Sequence, residues 1–370
     1  MTFFSPLFRF LSWITSVLFQ TFKSFLILNG LLPPPPFPLF RVPCLPLGRI
    51  IDFMDPDALV SLSFCSRKSH SVIKTQRKAP FNGRLGVSGL NRSVLFYSVG
   101  NLTHVFRACS YSYFSNFERS CHVKMNGLFG PVQVNRSNGN FVSYWDNTMD
   151  GLKAIIEYVT DLFNLDVVIF KLSKESLHLI EWMNSRQKTP LKKVVYVGWR
   201  NRSSEEELIY ILRDCTTLSE ISIHSEAPIN FQFLEKFRKI DCLEIWHGQW
   251  VTIGNLLTMD GIVISLEKST LTNIDFIIFL RHWLSGGWPR LKLFCAKTGY
   301  INIFRVLAGL LHNAVYVENS RDYTSPYGHQ WTLSNGYDIK RADGVTATVH
   351  YQPPGVLVMA VWPEASDHYN

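Results

Sequence analysis

The feature that most constrains the fold is a short run of apolar helical spacing near the amino end. Residues 42–73 read VPCLPLGRIIDFMDPDALVSLSFCSRKSHSVI. Asp55 and Pro56 interrupt the run, and these residue types commonly cap a helix and occupy its first position. A second break follows at residues 66–69. The segment therefore predicts two or three short amphipathic helices, which are too small to bury a core of their own and need cover from another surface.

At these residues the chain resembles an F-box, the module through which substrate receptors of cullin-RING ubiquitin ligases bind the small adaptor Skp1. The family pattern has an opening proline, an apolar residue seven positions later, an apolar-Asp-Pro triplet, and a Leu-rich helix that ends in basic residues. Its slots are filled by Val42-Pro43, Ile50, Met54-Asp55-Pro56, Leu59, Leu62 and Arg67-Lys68. The resemblance implies Skp1 contacts by Pro43, Leu45, Ile50, Ile51, Met54, Pro56, Leu59 and Leu62. The alternative is an ordinary two-helix element of a larger core.

The first 32 residues form a second apolar segment with helical spacing. Only Arg9 and Lys23 carry charge, but polar residues dilute the run below what a typical spanning helix contains. Three alternatives stay open: the helix lies in a membrane interface, spans marginally, or docks on the protein itself. Pro33–Pro36 predict a stiff polyproline spacer that separates this leader from the F-box-like segment.

Composition indicates a globular protein without nucleic-acid chemistry. Apolar residues make up 46% and charged residues 18% of the 370 positions, and the net charge of +8 is scattered over the chain, without a zinc-finger or RNA-binding signature. The seven cysteines are widely spaced and form no CxxC motif. We therefore expect free thiols in a reducing compartment, the cytoplasm and/or the nucleus, and no metal site.

A repeated apolar pattern dominates the carboxyl half. Five segments share an apolar residue at the first, fourth and sixth positions, and their middle members are 27, 22, 19 and 29 residues apart. They are Leu191/Val194/Tyr196, Leu218/Ile221/Ile223, Ile240/Leu243/Ile245, Met259/Ile262/Ile264 and Trp288/Leu291/Leu293. Such periods, with helix-compatible stretches between them, predict strand-helix units that share one core. The pattern resembles leucine-rich repeats but lacks their Asn ladder, so an irregular α/β solenoid is expected.

Local signals predict where several elements begin. Ser203 with Glu206, and Thr272 with Asp275, have the spacing of capping boxes at helix starts. An Asp343-Gly344 turn predicts a hairpin near the carboxyl end. Between residues 79 and 146, the stretches LFYSV, THVFRA and YSYF read as short strands.

The carboxyl half also resembles the F-box-associated type 2 domain that follows nematode-expanded F-boxes. The likeness rests on residues 180–199, 211–224, 243–257 and 271–291, and it ends at the 337–351 hairpin. We therefore expect an α/β protein, with a small helical F-box followed by an irregular leucine-rich-repeat-like solenoid. The predicted domains are a leader and spacer at 1–36, the F-box at 37–78, a connecting region at 79–146, the F-box-associated domain at 147–351 and a tail at 352–370.

The function expected from both resemblances is that of a substrate-recognition subunit of an SCF (Skp1-cullin-F-box) ubiquitin ligase. Its partners would be a Skp1-like adaptor, a cullin bound through that adaptor, and an unidentified target protein. Catalytic and phosphate-binding motifs are absent from the sequence, so we predict no enzyme activity and no cofactor. Candidate target contacts are Tyr196, Trp199, His224, Trp246, His247 and Trp250. The alternative is a non-ligase scaffold, with or without membrane tethering through residues 1–32.

Overall fold

The chain divides into two units, Met1–Phe53 with Gln76–Lys78, and Met54–Thr75 with Ala79–Asn370. A computed structural model describes residues 39–77, 83–98, 101–114, 120–125, 128–134, 141–198, 200, 202–215, 218–299, 301–308, 310 and 314–363, and the single positions 17 and 21. Apart from Val17 and Thr21, the predicted leader and the polyproline spacer lie outside the described residues. In the described part, no helix combines the length and apolar character needed to cross a membrane. Membrane contact through residues 1–32 stays a prediction.

The first unit contains helix α1 (Cys44–Phe53), preceded by a 3-10 turn at Leu39–Arg41. Pro46 lies in the first turn of α1, where a backbone N–H has no partner within the helix, so the proline does not break it. Leu47 and Ile51, one helical turn apart, are its buried residues. Arg77 of the same unit donates from Nη1 to the Ile51 carbonyl oxygen at 3.2 Å and so satisfies an acceptor near the helix end.

Helices α2 (Pro56–Phe64) and α3 (Arg67–Gln76) follow at the two predicted breaks. Asp55 occupies the N-cap position of α2 and Pro56 its first position, as predicted, although the Asp55 side chain makes no capping hydrogen bond in the described structure. Before α3, Ser66 Oγ accepts from the Ser69 backbone N–H at 3.0 Å. Local sequence thus sets the starts of both helices.

A mixed β-sheet and its helices make up most of the second unit. The remaining helices are α4 (Thr148–Phe163), α5 (Leu179–Arg186), α6 (Glu205–Ile209), α7 (Ile253–Thr258), α8 (Asn273–Leu284) and α9 (Ile303–Ala308). The strands are β1 (Gly83–Ser88), β2 (Ser93–Ser98), β3 (Asn101–Ser110), β4 (Ser120–Met125), β5 (Leu128–Val134), β6 (Phe141–Trp145), β7 (Val167–Leu172), β8 (Lys193–Tyr196), β9 (Glu220–Ile223), β10 (Cys242–Ile245), β11 (Val263–Ser269), β12 (Leu293–Thr298), β13 (Ala314–Val317), β14 (Arg321–Thr324), β15 (Gln330–Leu333), β16 (Gly336–Lys340), β17 (Thr346–Gln352) and β18 (Val356–Val361).

Among the described residues the sheet has sixteen strands, in the order β13-β16-β17-β18-β12-β11-β10-β9-β8-β7-β1-β2-β3-β6-β5-β4. Strands β7 to β12 are parallel neighbours in chain order, and β1 continues them in parallel beside β7. The strands β2, β3, β16, β17 and β18 extend both flanks through antiparallel pairs. The region predicted as a connection between domains therefore shares one sheet with the repeat region.

The predicted repeats align in the first three units and then shift. Val194, Ile221 and Leu243 are lateral neighbours, but the next residue in this row is Ile264, two positions beyond the predicted Ile262. Phe294 follows Ile264, so Leu293 points to the opposite face of the sheet. The predicted middle residue of this unit, Leu291, stands three positions before Phe294. Because the side-chain period of a strand is two residues, an odd offset of this kind reverses the buried face.

The predicted α/β class is confirmed, but a leucine-rich-repeat-like solenoid is not. The parallel strands belong to a larger mixed sheet whose flanks are antiparallel except for the parallel pair β3 and β6. No helix separates β9 from β10, although helices precede β8, β9, β11 and β12. Without equal repeats and a ladder that fixes each turn, successive units do not superimpose as a regular solenoid requires.

The two faces of the parallel sheet have different cover. On one face, the Phe279 ring of α8 lies 4.2 Å from the Phe294 ring, measured between centroids. On the other, the β14-β15 hairpin packs over part of the sheet, where Tyr323 and Leu333 join a buried cluster with Cys242, Val263 and Leu293. Tyr323 also donates its hydroxyl to the Lys292 carbonyl oxygen at 2.6 Å. Helices thus cover one face of the parallel sheet. The β14-β15 hairpin covers the part of the opposite face that is formed by β10, β11 and β12.

Most local predictions in this unit hold, and two are wrong. The box at Thr272 and Asp275 starts α8, and the Asp343-Gly344 turn joins β16 to β17. The capping box before α6 is formed by Ser204 and Glu207, one residue later than predicted, because Ser203 instead hydrogen-bonds Ser225. The YSYF stretch is not a strand: Tyr111–Tyr113 form a 3-10 turn, which Ser110 caps.

Candidate functional site

Helix α1 carries an apolar face that the described structure leaves open. Leu45 and Phe53 are each 85% exposed, and Ile50 is 36% exposed. At about 100° per residue, Leu45, Phe53 and Ile50 fall within roughly 140° of the helix circumference, with Phe53 between the other two. Exposed apolar side chains grouped on a single helix commonly mark a protein contact surface.

The structure places the predicted adaptor-contact residues at different depths. Pro43, Leu45 and Ile50 are exposed, and Met54, Pro56 and Leu62 are half-buried. Ile51 and Leu59 are completely buried, so in this structure they support their helices rather than offer surface. Sequence reasoning missed Phe53, although its position three residues after Ile50 was a signal that could have identified it.

Helix α2 docks on the sheet of its unit through Phe64. The Phe64 ring centroid lies 5.3 Å from that of Phe106 on β3, 5.3 Å from that of Phe141 on β6 and 5.5 Å from that of Tyr158 on α4. Ser63 Oγ and the Tyr158 hydroxyl are 2.6 Å apart in a buried hydrogen bond. Burial raises the pKa of Tyr158 to about 12. An aromatic cluster thus fixes α2 to the sheet domain.

Helix α3 docks on the same α4 helix through charge. Lys74 forms an ion pair with Asp161, and His70 Nε2 lies 3.8 Å from an Asp161 carboxylate oxygen. Burial lowers the pKa of His70, which Asp161 partly offsets. A cleft of about 570 Å³ opens beside these residues, lined also by Arg67 and Lys124. It stands next to the docking contact and contains no paired nucleophile and base among its lining residues.

Four histidines are expected to make the stability of the folded chain sensitive to acid. Burial lowers the pKa of His70, His224, His247 and His350 below the ordinary 6.5. Below that pH the unfolded chain binds more protons at these positions than the folded chain, so stability falls as pH falls. We expect urea unfolding to show lower stability at about pH 5.5 than at about pH 7.5, a range above that in which most carboxylates titrate. The His350→Gln variant should show a smaller difference, and unchanged or rising stability on acidification would contradict the assignment.

A polar face lies on the side of the parallel sheet opposite the helices. Side chains that alternate with the buried rows of β7 to β10 line it: Lys171, Lys193, Glu220, Ser222, His224, Glu244 and Trp246. Lys193 Nζ is 3.8 Å from a Glu244 carboxylate oxygen, across the intervening strand. His224 stacks on Trp246 with ring centroids 4.4 Å apart, and its Nε2 is 2.8 Å from Ser222 Oγ. We call these seven residues the polar face.

The predicted target contacts separate into surface and core residues. His224 and Trp246 lie on the polar face, and Trp246 is 50% exposed. Tyr196 is fully buried and donates its hydroxyl to Glu207, which explains the raised pKa of Tyr196 together with burial. Trp250 is buried against Phe231, and His247 is nearly buried, with Nδ1 3.4 Å from Glu226. Trp199 lies outside the described residues.

The polar face combines charged groups, an aromatic pair and a histidine ring. It carries both signs of charge at Lys193 and Glu244, and a half-exposed aromatic pair. Burial lowers the pKa of His224, so the ring is mainly neutral near pH 7 and can donate or accept a hydrogen bond. Ser222, its hydrogen-bond partner, is 1% exposed and offers no accessible nucleophile. A target surface with aromatic and charged groups would find complementary partners here.

Comparison with known protein families matches two regions of the chain. The model of the F-box domain matches residues 39–80, and the model described as F-box associated matches residues 233–296. The first match contains helices α1 to α3. The second contains β10, α7, β11 and α8 completely, and most of β12. Both resemblances seen in the sequence are thereby confirmed.

A curated protein is similar to most of the chain. The Skn-1 dependent zygotic transcript 15 protein of Caenorhabditis elegans is 24% identical over 341 residues, which cover 85% of this chain and 94% of the relative. No solved structure matches the chain. The similarity thus covers most of the length of both chains.

Proposed function

We propose that this chain, an F-box protein of the substrate-adaptor type, is the substrate-recognition subunit of an SCF ubiquitin ligase. The observation that carries the proposal is an F-box match at residues 39–80, within which α1 leaves Leu45 and Phe53 exposed. An F-box implies binding of a Skp1-like adaptor, and the cullin would bind through that adaptor. The F-box associated match at residues 233–296 supports a separate target-binding region.

The adaptor contact uses the apolar residues of the F-box helices. Leu45, Ile50 and Phe53 supply the accessible side chains of α1, and Pro43 stands just before the helix. Ile51 and Leu59 are buried and stabilise the two helices by packing. We therefore retain the predicted set as the adaptor-binding region, add Phe53, and divide the set into contact and support residues.

The target contact uses the polar face of the parallel sheet. Trp246 is the exposed aromatic residue there, and its stacking on His224 holds the indole ring in one orientation. A preorganised aromatic side chain loses little conformational entropy on binding. Lys193 and Glu244 would add charge complementarity beside it. Because Tyr196 and Trp250 are buried, we assign them to the core that supports this face.

The mechanism is one of tethering, without a bond made by the chain itself. A target bound to the polar face and a ligase bound through the F-box would be held in one assembly, which raises the local concentration of target lysines near the charged ubiquitin carrier. Within the second unit, Phe64 packs α2 on the sheet that carries the polar face, and Lys74 pairs α3 with Asp161 of α4.

The test is reconstitution of the full chain with a Skp1-like adaptor and a cullin. We expect the three proteins to elute as one complex, and we expect Trp246→Ala to keep that complex but to reduce the set of ubiquitylated proteins that depend on the chain. Loss of an exposed aromatic hot spot costs about 2 kcal/mol of binding, or roughly 30-fold in affinity. The measurement is quantitative mass spectrometry of ubiquitylated peptides from cells that express each variant.

A matched control separates target binding from general damage. Ile229 is 93% exposed and is not one of the seven residues of the polar face, so Ile229→Ala should leave both the complex and the ubiquitylated set unchanged. Failure of the wild-type chain to elute with the adaptor would favour the alternative of a non-ligase scaffold. Fractionation of the full chain against a variant that lacks residues 1–36 tests membrane tethering, and the same fractions test the proposed cytoplasmic and/or nuclear location.

A further inference from the structure

Three side chains with metal-ligand chemistry meet where the β14-β15 hairpin crosses the sheet. Cys242 and Glu244 are two residues apart on β10, so their side chains lie on the same face. His329 comes from the turn between β14 and β15. Its Nε2 lies 3.8 Å from Cys242 Sγ and 3.2 Å from a Glu244 carboxylate oxygen. The three ligand atoms all lie within 4.8 Å of one another.

The hairpin turn holds His329 in place over β10. The His329 backbone N–H donates to Ser325 Oγ at 3.1 Å, and its carbonyl oxygen accepts from the Ser325 N–H at 2.9 Å. Tyr323 and Leu333, on the two strands of the hairpin, are buried against the sheet in the cluster that contains Cys242. The position of the imidazole is therefore set by packing and by backbone hydrogen bonds, as metal ligands require.

Two of the three separations match those around a tetrahedral zinc ion. With Zn–S near 2.3 Å and Zn–N and Zn–O near 2.0 Å, tetrahedral angles put sulfur about 3.5 Å from nitrogen and nitrogen about 3.3 Å from oxygen. The observed distances are 3.8 Å and 3.2 Å. A thiolate and an imidazole favour zinc over magnesium or calcium, which prefer oxygen ligands.

Charge and access at this position also suit a cation. Glu220 is the lateral neighbour of Cys242 on β9, and Glu244 lies two residues further along β10 on the same face, with Lys193 as the cation paired to Glu244. His329 is 27% exposed and Glu244 17% exposed, which leaves a path from solvent. Lys193 pairs with Glu244 at 3.8 Å and is itself 29% exposed, so it can turn toward water when a metal takes the carboxylate.

We propose that Cys242, Glu244 and His329 bind Zn²⁺, with a water molecule as the fourth ligand. Binding forms one bond to each side chain and releases the thiol proton of Cys242 to solvent. The ion joins the hairpin turn to the central strand of the sheet, next to the polar face. This site is independent of the proposed ligase role, since it depends only on the fold of the second unit.

The test uses the full chain, stripped of metal with a chelator and titrated with Co²⁺ and then Zn²⁺. We expect a thiolate-to-cobalt charge-transfer band in the wild type that zinc removes, since zinc binds more tightly than cobalt. Cys242→Ser should lose the band, and His329→Gln should weaken cobalt binding by more than about 100-fold. Zinc at roughly 100 times its Kd should raise the wild-type Tm by about 5 °C, but not that of Cys242→Ser.

The matched control is Cys295→Ser, which removes another buried thiol of the same cluster. It should keep both the cobalt band and the zinc-dependent rise in Tm. Circular dichroism of each metal-free variant checks folding, and the partly exposed position of His329 makes His329→Gln the variant expected to fold normally. The proposal is overturned if the folded wild type shows no charge-transfer band, or if the band follows Cys295 rather than Cys242. In that case His329 and Glu244 form only an ion pair.

Discussion

Replacing Leu45 and Phe53 together by aspartate is expected to weaken binding of a Skp1-like adaptor by more than about 100-fold. Both side chains are 85% exposed, so the folded chain loses little when they change. In the complex, however, each substitution removes an apolar contact and places a carboxylate in an apolar interface, where desolvation is costly. The measurement is the Kd of the full-length variant for the adaptor, alongside its Tm.

The control makes the same chemical change elsewhere. Ile229 and Leu234 are 93% and 87% exposed in the second unit, so Ile229→Asp with Leu234→Asp should leave adaptor affinity unchanged. Leu59 is a poor test position, because it is fully buried and an aspartate there would unfold the helix region rather than report on binding. Wild-type affinity in the Leu45/Phe53 variant would show that α1 does not face the adaptor.

Truncation of Phe64 is the second large effect that we expect. Phe64→Ala should lower the free energy of unfolding by about 2–3 kcal/mol, because the ring packs on Phe106, Phe141 and Tyr158 and its removal leaves a cavity between α2 and the sheet. Hydrogen exchange of the α2 backbone should accelerate more than that of β8 to β12. Urea unfolding and exchange mass spectrometry measure the two effects.

Phe304 provides the comparison, since it is 70% exposed on α9 and Phe304→Ala should change stability by less than about 0.5 kcal/mol. If Phe64→Ala left both stability and α2 exchange at wild-type values, the aromatic cluster would not be what fixes α2 to the sheet.

The sequence correctly predicted the elements that depend on residues close together in the chain. The helix starts at Pro56 and Asn273 depend on cap residues within four positions, and the structure has both. The strands β8, β9 and β10 also fall on the predicted apolar pattern, since alternate burial leaves a period of two. The F-box resemblance belongs to this class, because its spacing is contained in about thirty residues.

Predictions failed where distant residues compete. The capping box was predicted at Ser203 but is formed by Ser204, because the Ser203 hydroxyl forms a hydrogen bond with Ser225, just after β9. The repeat pattern groups Leu293 with Tyr196 and its counterparts, yet β12 is offset and Leu293 faces the β14-β15 hairpin. An apolar residue signals burial, but both faces of this strand are buried, so periodicity cannot tell which face it joins.

The candidate sites also contain some features that local sequence predicts and others that depend on tertiary packing. The exposed face of α1 was partly foreseen, since helical spacing identifies Leu45 and Ile50, whereas the burial of Ile51 and Leu59 depends on packing. His224 and Trp246 were foreseen as aromatic candidates, but only strand register shows that they stack on one face and that Tyr196 lies on the other.

By itself, the sequence determined the F-box helices, the alternation of strands with helices and the residue types available for binding. Those features depend on interactions between residues a few positions apart, which spacing records directly. Only the tertiary structure decided which apolar residues stay exposed, which face each strand presents, and that His329 meets Cys242 and Glu244 from 87 and 85 residues away. Such meetings are set by the packing of a hairpin on a sheet, and no local pattern in the chain encodes them.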